Sequence, residues 1–466
     1  MGAVLIEGYH PGAEDAEIYL PGVLKLLHPK LFPFNSQFFE AHAHSTFFPN
    51  LIAASARASH LKIESAIFLW QIASIFLLLL ACWHVSAKCF ADPKARWAGV
   101  ALVGALLTLP VAGTALYIMD QYINPRNLSA FAAVFAIGRV LDRRYLQAAM
   151  FLIFAAAIHP LMSIFALSFC LLLIGMREMR LAWLAALFPF GISLAPPPES
   201  YHQVVVTRSY FYVTQWHWYE WLGVIGPMVL LLGLARIARN HKWANVNLLC
   251  GALLVYESIY FAPALAISVP SRFQVLARLQ PMRSLYLVYL LMILLGGGAL
   301  AQFVLKNQLW RWLALFVPLC AGMFISQRAL FPASAHIELP WAQPGNQWVQ
   351  AFLWVRNNTP DDSIFALDPD YLNISGEDEQ GFRAIAWRSS VADAVKDSGA
   401  VSMFPSMADE WWHQVQAQSG WDKFQLQDFR RLQMEFGVNW VILQQPGIAG
   451  LDCPYSNSAV RVCRLN

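Results

Sequence analysis

The chain has 466 residues, of which 58% are hydrophobic and only 13% are charged, and its mean hydropathy is +0.45. Soluble globular proteins carry about 25% charged residues because their surface must be solvated, so this composition excludes a cytosolic enzyme, a disordered chain and a disulfide-stapled secreted miniprotein. The net charge of +3 gives no reason to expect a nucleic-acid partner. Most of the chain is therefore expected to face lipid, and its 18 tryptophans suit anchoring at two membrane interfaces.

Long apolar runs alternate with short connections between residues 63 and 329. They predict ten membrane spans, near 63–86, 97–118, 127–140, 146–158, 160–176, 181–195, 221–237, 244–267, 283–305 and 311–329. Every second connection is short and basic, as the positive-inside rule requires of cytoplasmic loops. The sequence thus predicts a polytopic α-helical protein of the cytoplasmic (inner) membrane, with its helical domain at 63–329.

Residues 1–62 are predicted to form an extracytoplasmic first loop. The apolar stretch 1–6 is too short to cross a membrane. Either the span at 63–86 inserts as a reverse anchor or a longer first helix begins upstream, and we favour the second. The loop is too rich in Phe, Leu and Tyr for a disordered segment, so we expect amphipathic helices that lie on the membrane surface.

Residues 330–466 are predicted to form an extracytoplasmic α/β domain. NQWVQAFLWVRNNTPDDSIFALDPD predicts a helix, a turn and a strand, RLQMEFGVNWVILQQ repeats that order, and AVRVCRL predicts a last strand. Cys453 and Cys463 are the only cysteines of this domain. Outside the cytoplasm such a pair can oxidise, but their spacing alone does not decide between a disulfide and two thiols.

Acidic residues of the first loop are the first candidates for chemistry. Glu14 and Asp15 precede Tyr19, which on a helix would lie one turn beyond Asp15 on the same face. Carboxylates in an apolar segment beside a membrane are costly to desolvate, so they are usually paired with a cation or have a function. Asp15 could take a proton from an acceptor hydroxyl or amine. The alternative is a helix N-cap or a solvated loop acid.

Two further polar features are predicted at external span ends. Asp120 and Arg126 flank a turn after the second span, and His159 follows a later apolar run. Side chains that converge on one membrane face would share a site, although a lone His is also a common hydrogen-bonded packing residue. The oxygens of Glu14, Asp15 and Asp120 suit a hard divalent cation, so the metal requirement stays open.

Arginines in predicted external loops are the third feature. Arg272, Arg278 and Arg283 lie in the loop 268–283, and Arg208 lies in the preceding external loop. Guanidinium groups bind phosphate through paired donors, which indicates an anionic lipid head group. The alternative is ordinary anchoring at the membrane interface.

Several segments together resemble the GT-C membrane glycosyltransferases, including uncharacterised bacterial GT-C-like membrane proteins. These segments are EDAEIY, LPVAGTALYIMDQYINPRN, AAAIHPLMSIFAL and WVRNNTPDDSIFALDPDY. The pattern D-x-x-x-Y at Asp15–Tyr19 is similar to the first-loop acid and tyrosine of that superfamily. The WWDYG-type signature of oligosaccharyltransferases does not occur in the sequence, which argues against protein N-glycosylation.

The resemblance implies transfer of a sugar from a polyprenyl-phosphate-linked donor to an unidentified acceptor on the extracytoplasmic face. It implies Asp15 as the catalytic acid or base, with Glu14 beside it. The residues expected to bind substrate are Tyr19, Asp120, Arg126, His159, Arg208, Arg272, Arg278 and Arg283.

Two other classes of function remain open from the residues alone. A transporter or lipid-handling protein could use the same cavity without chemistry, because transporters also place charges at broken helices. A non-catalytic assembly factor would instead bind partners through its C-terminal domain, for example through Trp411 and Trp412. In that case Asp15 and the arginines should tolerate substitution by Ala.

Overall fold

A computed structural model describes residues 1–178, 198–268 and 276–465 of the chain. The chain divides into two compact units. The first, here called the helical unit, comprises Met1–Glu7, Trp70–Pro196 and Ser209–Gln327. The second, here called the mixed unit, comprises Gly8–Leu69, Pro197–Arg208 and Arg328–Asn466.

The described helices in chain order are α1 (Gly2–Glu7), α2 (Ala16–Leu27), α3 (Gln37–Ser45), α4 (Phe48–Ser59), α5 (Ile63–Cys89), α6 (Pro93–Ala105), α7 (Pro125–Leu141), α8 (Tyr145–Ile158), α9 (Pro160–Glu178), α10 (Tyr201–Val206), α11 (Trp218–Asn240), α12 (Ala244–Ser268), α13 (Leu285–Leu300), α14 (Leu309–Leu330), α15 (Gln347–Asn358), α16 (Phe382–Ala386), α17 (Asp397–Met403), α18 (Ala408–Ala417) and α19 (Leu426–Phe436). The described strands are β1 (Ile364–Ala366), β2 (Ser389–Ser390), β3 (Trp440–Gln444), β4 (Asp452–Ser456) and β5 (Val460–Arg464).

Six described helical segments are long and apolar enough to cross a membrane. They are α5, α9, α11, α12, the segment Leu276–Leu305 that contains α13, and α14. Helix α8 is apolar but shorter, and the predicted span at 181–195 lies outside the described residues. A helical membrane protein is therefore supported, whereas the number of ten spans is not confirmed.

The predicted span at 97–118 is wrong as a single helix. Helix α6 ends at Ala105, and turns with a short backbone bridge between Pro110 and Tyr117 lead to α7. Proline has no amide N–H and disfavours the helical conformation of the residue before it. A count of apolar residues does not detect this interruption, because Pro110 stands among Leu, Val and Ala.

Small residues let two helices of the helical unit approach closely. A Cβ atom added to Gly99 of α6 would lie 2.5 Å from the carbonyl oxygen of Leu294 in α13, and one added to Gly297 would lie 2.8 Å from Cα of Gly99. Membrane helices associate through such contacts because lipid supplies no hydrophobic drive for helix pairing. Any larger side chain at either glycine would push α6 and α13 apart.

The mixed unit is built on a five-stranded sheet with the order β2-β1-β3-β5-β4. Strand β1 runs parallel to β2 and β3, whereas β5 is antiparallel to β3 and β4. Phe352 and Val355 of α15 pack with residues of one sheet face, and Phe429 and Leu432 of α19 pack with residues of the other. The predicted order of helix, turn and strand is present in both segments, and a disulfide between Cys453 and Cys463 links β4 to β5.

The first loop belongs to the mixed unit from Gly8 onward, whereas Met1–Glu7 belongs to the helical unit. The amide of Glu14 donates to the carbonyl of Glu379 at 2.7 Å, and the amide of Gly381 donates to the carbonyl of Gly12 at 2.7 Å. Nδ2 of Asn35 donates to the carbonyl of Ser390 at 2.9 Å. The loop folds into helices, α2 to α4, as predicted; their placement on the membrane surface stays a prediction.

Candidate functional site

Three carboxylates surround one lysine in the mixed unit. Nζ of Lys396 lies 3.5 Å from Oδ1 of Asp15 and 3.7 Å from Oε2 of both Glu14 and Glu379. The lysine side chain is 11% exposed, whereas those of Asp15, Glu14 and Glu379 are 23%, 28% and 44% exposed. The acids of this group, which we call the open cluster, are thus accessible to solvent while their cation is not.

Backbone pairing brings the acids together. The segment that contains Gly12 and Glu14 runs antiparallel to residues 379–381, so Glu379 meets the start of α2. Glu14 has a positive φ of 48°, a conformation that non-glycine residues adopt only when surrounding contacts favour it. Asp15 occupies the N-cap position of α2, but its side chain forms no capping hydrogen bond. The alternative interpretation of Asp15 as a helix cap is therefore not what the structure shows.

The acids of the open cluster determine the protonation state of its lysine. Burial acts to lower the pKa of Lys396, but the Asp15, Glu14 and Glu379 carboxylates outweigh that effect and raise it above the ordinary value. The lysine therefore stays protonated and holds the carboxyl groups of Asp15, Glu14 and Glu379 around it. An arrangement of this kind can accept a proton or attract a cationic or hydrogen-bond-donating group.

Aromatic residues of α2 and α3 lie next to the open cluster. Tyr19 contacts His42 edge to face, with ring centroids 6.2 Å apart, and His42 contacts Phe404 at 5.3 Å. Burial lowers the pKa of His42 to about 4, although the Asp15 carboxylate acts in the opposite direction. His42 is therefore neutral at physiological pH, and its ring forms an apolar edge of the site together with Tyr19.

Arg208 adds a second cation from another part of the mixed unit. Its Nη2 donates to the carbonyl of Val395 and, at 2.5 Å, to Oγ of Ser398. Its positive charge acts on Lys396, the residue that follows Val395. Of the predicted site residues, Glu14, Asp15 and Arg208 are thus associated with the segment around Lys396, and Tyr19 lies one helical turn beyond Asp15.

A second group of charges, which we call the sealed cluster, lies deeper in the mixed unit. Arg383 donates to Glu17 at 2.6 Å through Nε, and to Asp397 at 2.6 Å and Asp393 at 3.3 Å through Nη2. No side chain of the four is more than 7% exposed. Burial raises the pKa of Glu17 to about 7 and that of Asp397 to about 8, against the lowering effect of Arg383. This cluster ties α2 to α16 and α17 and has no access for a substrate.

Asp120 and Arg126 form an ion pair in the helical unit. Nη2 of Arg126 lies 3.0 Å from Oδ2 of Asp120, which also accepts from Asn124 at 2.6 Å. The side chain of Asn124 caps α7 by accepting from the amide of Asn127. The predicted turn is present, and within the described residues this network supplies partners for both charges.

His159 connects two helices of the helical unit. It follows the last residue of α8, and its Nδ1 accepts from the amide of Met162 in the first turn of α9 at 3.3 Å. Such a contact satisfies one of the free amides at a helix start. The geometry fits the hydrogen-bonded packing role, and a role of His159 in substrate binding stays a prediction.

Of the three arginines that were predicted to bind phosphate from the loop 268–283, two are among the described residues. Arg272 lies outside the described residues. Arg278 is half-buried, and Arg283 lines a cavity of about 10 Å³ beside Tyr210 and Gln280, which has room for about one water. Their assignment to a donor phosphate therefore stays a prediction.

The described residues contain no group of three or more His, Cys, Asp or Glu side chains arranged to hold a metal ion. In the open cluster the ammonium of Lys396 stands where a cation would be expected among Glu14, Asp15 and Glu379. Asp120, the third predicted oxygen ligand, instead pairs with Arg126. The oxygen ligands proposed from the sequence are thus engaged with basic side chains of the protein.

Comparison with solved structures finds ten chains that are similar to this one, two of which are described below. No protein-family profile and no curated protein matches the chain. One of the similar structures is the archaeal oligosaccharyltransferase AglB from Archaeoglobus fulgidus in complex with an inhibitory peptide and a dolichol-phosphate. Its sequence is 12% identical and the TM-score is 0.47; the match covers 95% of this chain and 68% of the AglB chain. The apo form of the oligosaccharyltransferase from the same organism is 11% identical, with a TM-score of 0.48 and the same coverage.

Proposed function

We propose that this chain is a membrane glycosyltransferase that transfers a sugar from a polyprenyl-phosphate-linked donor to an acceptor on the extracytoplasmic face of the inner membrane. The observation that carries the proposal is the open cluster, in which Asp15 and Glu14 are accessible while Lys396 is held beneath them. The sequence resemblance had assigned the catalytic role to the same two acids.

Asp15 acts as the general base of this reaction. It takes the proton of the acceptor hydroxyl, and the acceptor oxygen then attacks the anomeric carbon of the sugar from the face opposite the phosphate. The bond between that carbon and the phosphate oxygen breaks, and the electron pair leaves with the polyprenyl phosphate. A single displacement of this kind inverts the configuration at the anomeric carbon.

Other charges near Asp15 have supporting roles. The ammonium of Lys396, 3.5 Å away, holds the carboxylate in place, and Glu14 adds negative charge that favours uptake of a proton. Arg208 contributes a positive charge to the same segment of the mixed unit. Binding of the donor phosphate by Arg272, Arg278 and Arg283 is a separate part of the proposal, and the role of Asp15 does not depend on it.

The test is a transfer assay with Asp15→Asn. The full chain is reconstituted with a panel of polyprenyl-phosphate monosaccharides and cell-envelope lipid extract as acceptor, and sugar incorporation is measured. Loss of a general base should lower turnover by about 10²- to 10⁴-fold, while the folded state persists because Asp15 is partly exposed.

The matched control is Glu40→Gln. Glu40 is another acid of the first loop that pairs with a lysine, Lys25, at 2.7 Å, but it lies outside the open cluster. Its substitution should leave turnover unchanged. Equal turnover of the wild type and of Asp15→Asn would remove the proposed base and favour a lipid-handling or assembly protein.

A further inference from the structure

The mixed unit contains a large cavity that the proposed reaction does not use. Its volume is about 990 Å³, at the upper end of the roughly 300–1,000 Å³ of small-molecule sites. Apolar side chains line it from α2 and α15, namely Leu20, Leu24, Val349 and Leu353. A space of this size and character exceeds what a single sugar needs and suits a hydrocarbon chain.

The cavity lies where a membrane boundary is expected. Ile63 and Ile67 also line it, and they belong to the first two turns of α5, a helix apolar and long enough to cross a membrane. Trp341, next to lining residues Pro340 and Ala342, is 72% exposed. Exposed tryptophan is typical of the interface between lipid chains and head groups, which supports a lipid as the ligand of the cavity.

Cations stand at the rim of the cavity. Arg57 and Lys62 both line it, and both are exposed. In the part of the chain that the structure describes, neither forms an ion pair, and Arg57 donates only to the carbonyl of Leu26. A third lining cation, Arg356, is neutralised by Glu64 at 2.7 Å. One further acid, Glu338, also lines the cavity. Arg57 and Lys62 beside the apolar lining complement a ligand with an anionic head and an apolar tail.

We propose that this cavity binds an anionic phospholipid of the surrounding bilayer, with its acyl chains between α2 and α15 and its phosphate at Arg57 and Lys62. The site is distinct from the open cluster, and the proposal does not depend on sugar transfer. The bound lipid would fill a space that otherwise leaves the apolar faces of α2 and α15 exposed.

Photolabelling tests the proposal directly. The full chain is placed in nanodiscs of phosphatidylcholine that contain a trace of phosphatidylglycerol with a photoreactive acyl chain, and labelled peptides are identified by mass spectrometry. We expect labels on the peptides that contain Leu20, Leu24 and Leu353, with phosphatidylglycerol preferred over a phosphatidylcholine probe carrying the same chain. Absence of these labels, or equal labelling by both probes, would overturn the proposal.

Two sets of variants sharpen the test. Leu24→Trp and Leu353→Trp fill the cavity and should abolish labelling, whereas Leu230→Trp on the exposed surface of α11 should not. Arg57→Gln and Lys62→Gln should each weaken the preference for phosphatidylglycerol by roughly fivefold, and the exposed Lys423→Gln, outside the cavity lining, should leave it unchanged. Because the rim residues are exposed, these variants keep the proposal testable even where a cavity-filling variant fails to fold.

Competition identifies the occupant. Unlabelled phosphatidylglycerol should displace the probe. Displacement by unlabelled polyprenyl phosphate at a lower concentration would overturn the proposal and make the cavity a site for the sugar donor. The Asp15→Asn variant should be photolabelled to the same extent as the wild type. Loss of sugar transfer and loss of lipid binding can therefore be told apart.

Discussion

The open and sealed clusters both place three carboxyl groups around one basic side chain, but they differ in burial. Arg383 and its partners lie at 2.6–3.3 Å with side chains at most 7% exposed. Lys396 and its partners lie at 3.5–3.7 Å, and its acids are 23–44% exposed. The short contacts of the sealed cluster are shielded from solvent, which favours a fixed structural role. The longer contacts of the open cluster are accessible to solvent, so its acids can exchange partners. Charge counts alone would not have separated the two.

The largest effect is expected from Arg383→Met. Removal of the cation leaves Glu17, Asp393 and Asp397 buried without their ion-pair partner, which typically costs about 3–5 kcal/mol. Urea unfolding of the full chain in detergent, followed by tryptophan fluorescence, would measure the loss. A stability within 1 kcal/mol of the wild type, as a rough threshold, would show that the sealed cluster does not hold the mixed unit together.

A smaller effect is expected from pH. The pKa values of Glu17 and Asp397 are raised to about 7 and about 8 in the folded protein by burial, so the folded state retains protons that the unfolded state releases. The contribution of these groups to stability therefore falls as the pH rises from about 4 to about 8.

Urea midpoints at several pH values between 5 and 8 would test this dependence. Asp397→Asn should flatten the pH profile. Glu40→Gln, whose carboxyl has a pKa lowered in the folded state through its contacts with Lys25 despite the raising effect of partial burial, should not change the slope in that range. An unaltered profile in Asp397→Asn would contradict the account of the sealed cluster.

The smallest effect on stability is expected from Lys396→Met. The carboxylates left behind can be solvated, so the change should be about 1 kcal/mol or less, although turnover should fall because Asp15 loses the contact that positions it. The same unfolding assay and the transfer assay would measure both. A loss of stability equal to that of Arg383→Met would remove the distinction between the two clusters.

Local patterns predicted much of the mixed unit. Helix α19 and strand β3 are separated by Gly437, which has a φ of 72° and ends the helix, as a glycine after an amphipathic run predicts. Strand β4 was not predicted. Its sequence, DCPYS, contains Pro454 and no run of apolar residues, which is compatible with an edge strand but resembles a loop.

The candidate site could be predicted only in part. Glu14 and Asp15 stood out because acids are rare in an apolar loop. Lys396 did not, because its partnership with Asp15 depends on contacts between distant parts of the chain that no local pattern records. In the membrane region the interruption at Pro110 was missed for a related reason, since an average over apolar residues does not detect a single missing amide.

The ion pair between Glu17 and Arg383 joins residues that are 366 positions apart. During synthesis α2 is made long before Arg383. Glu17 of α2 therefore has no ion-pair partner until the described membrane helices α5 to α14 have been synthesised. Chains that stop before residue 383 would keep this acid unpaired and the apolar residues around it uncovered.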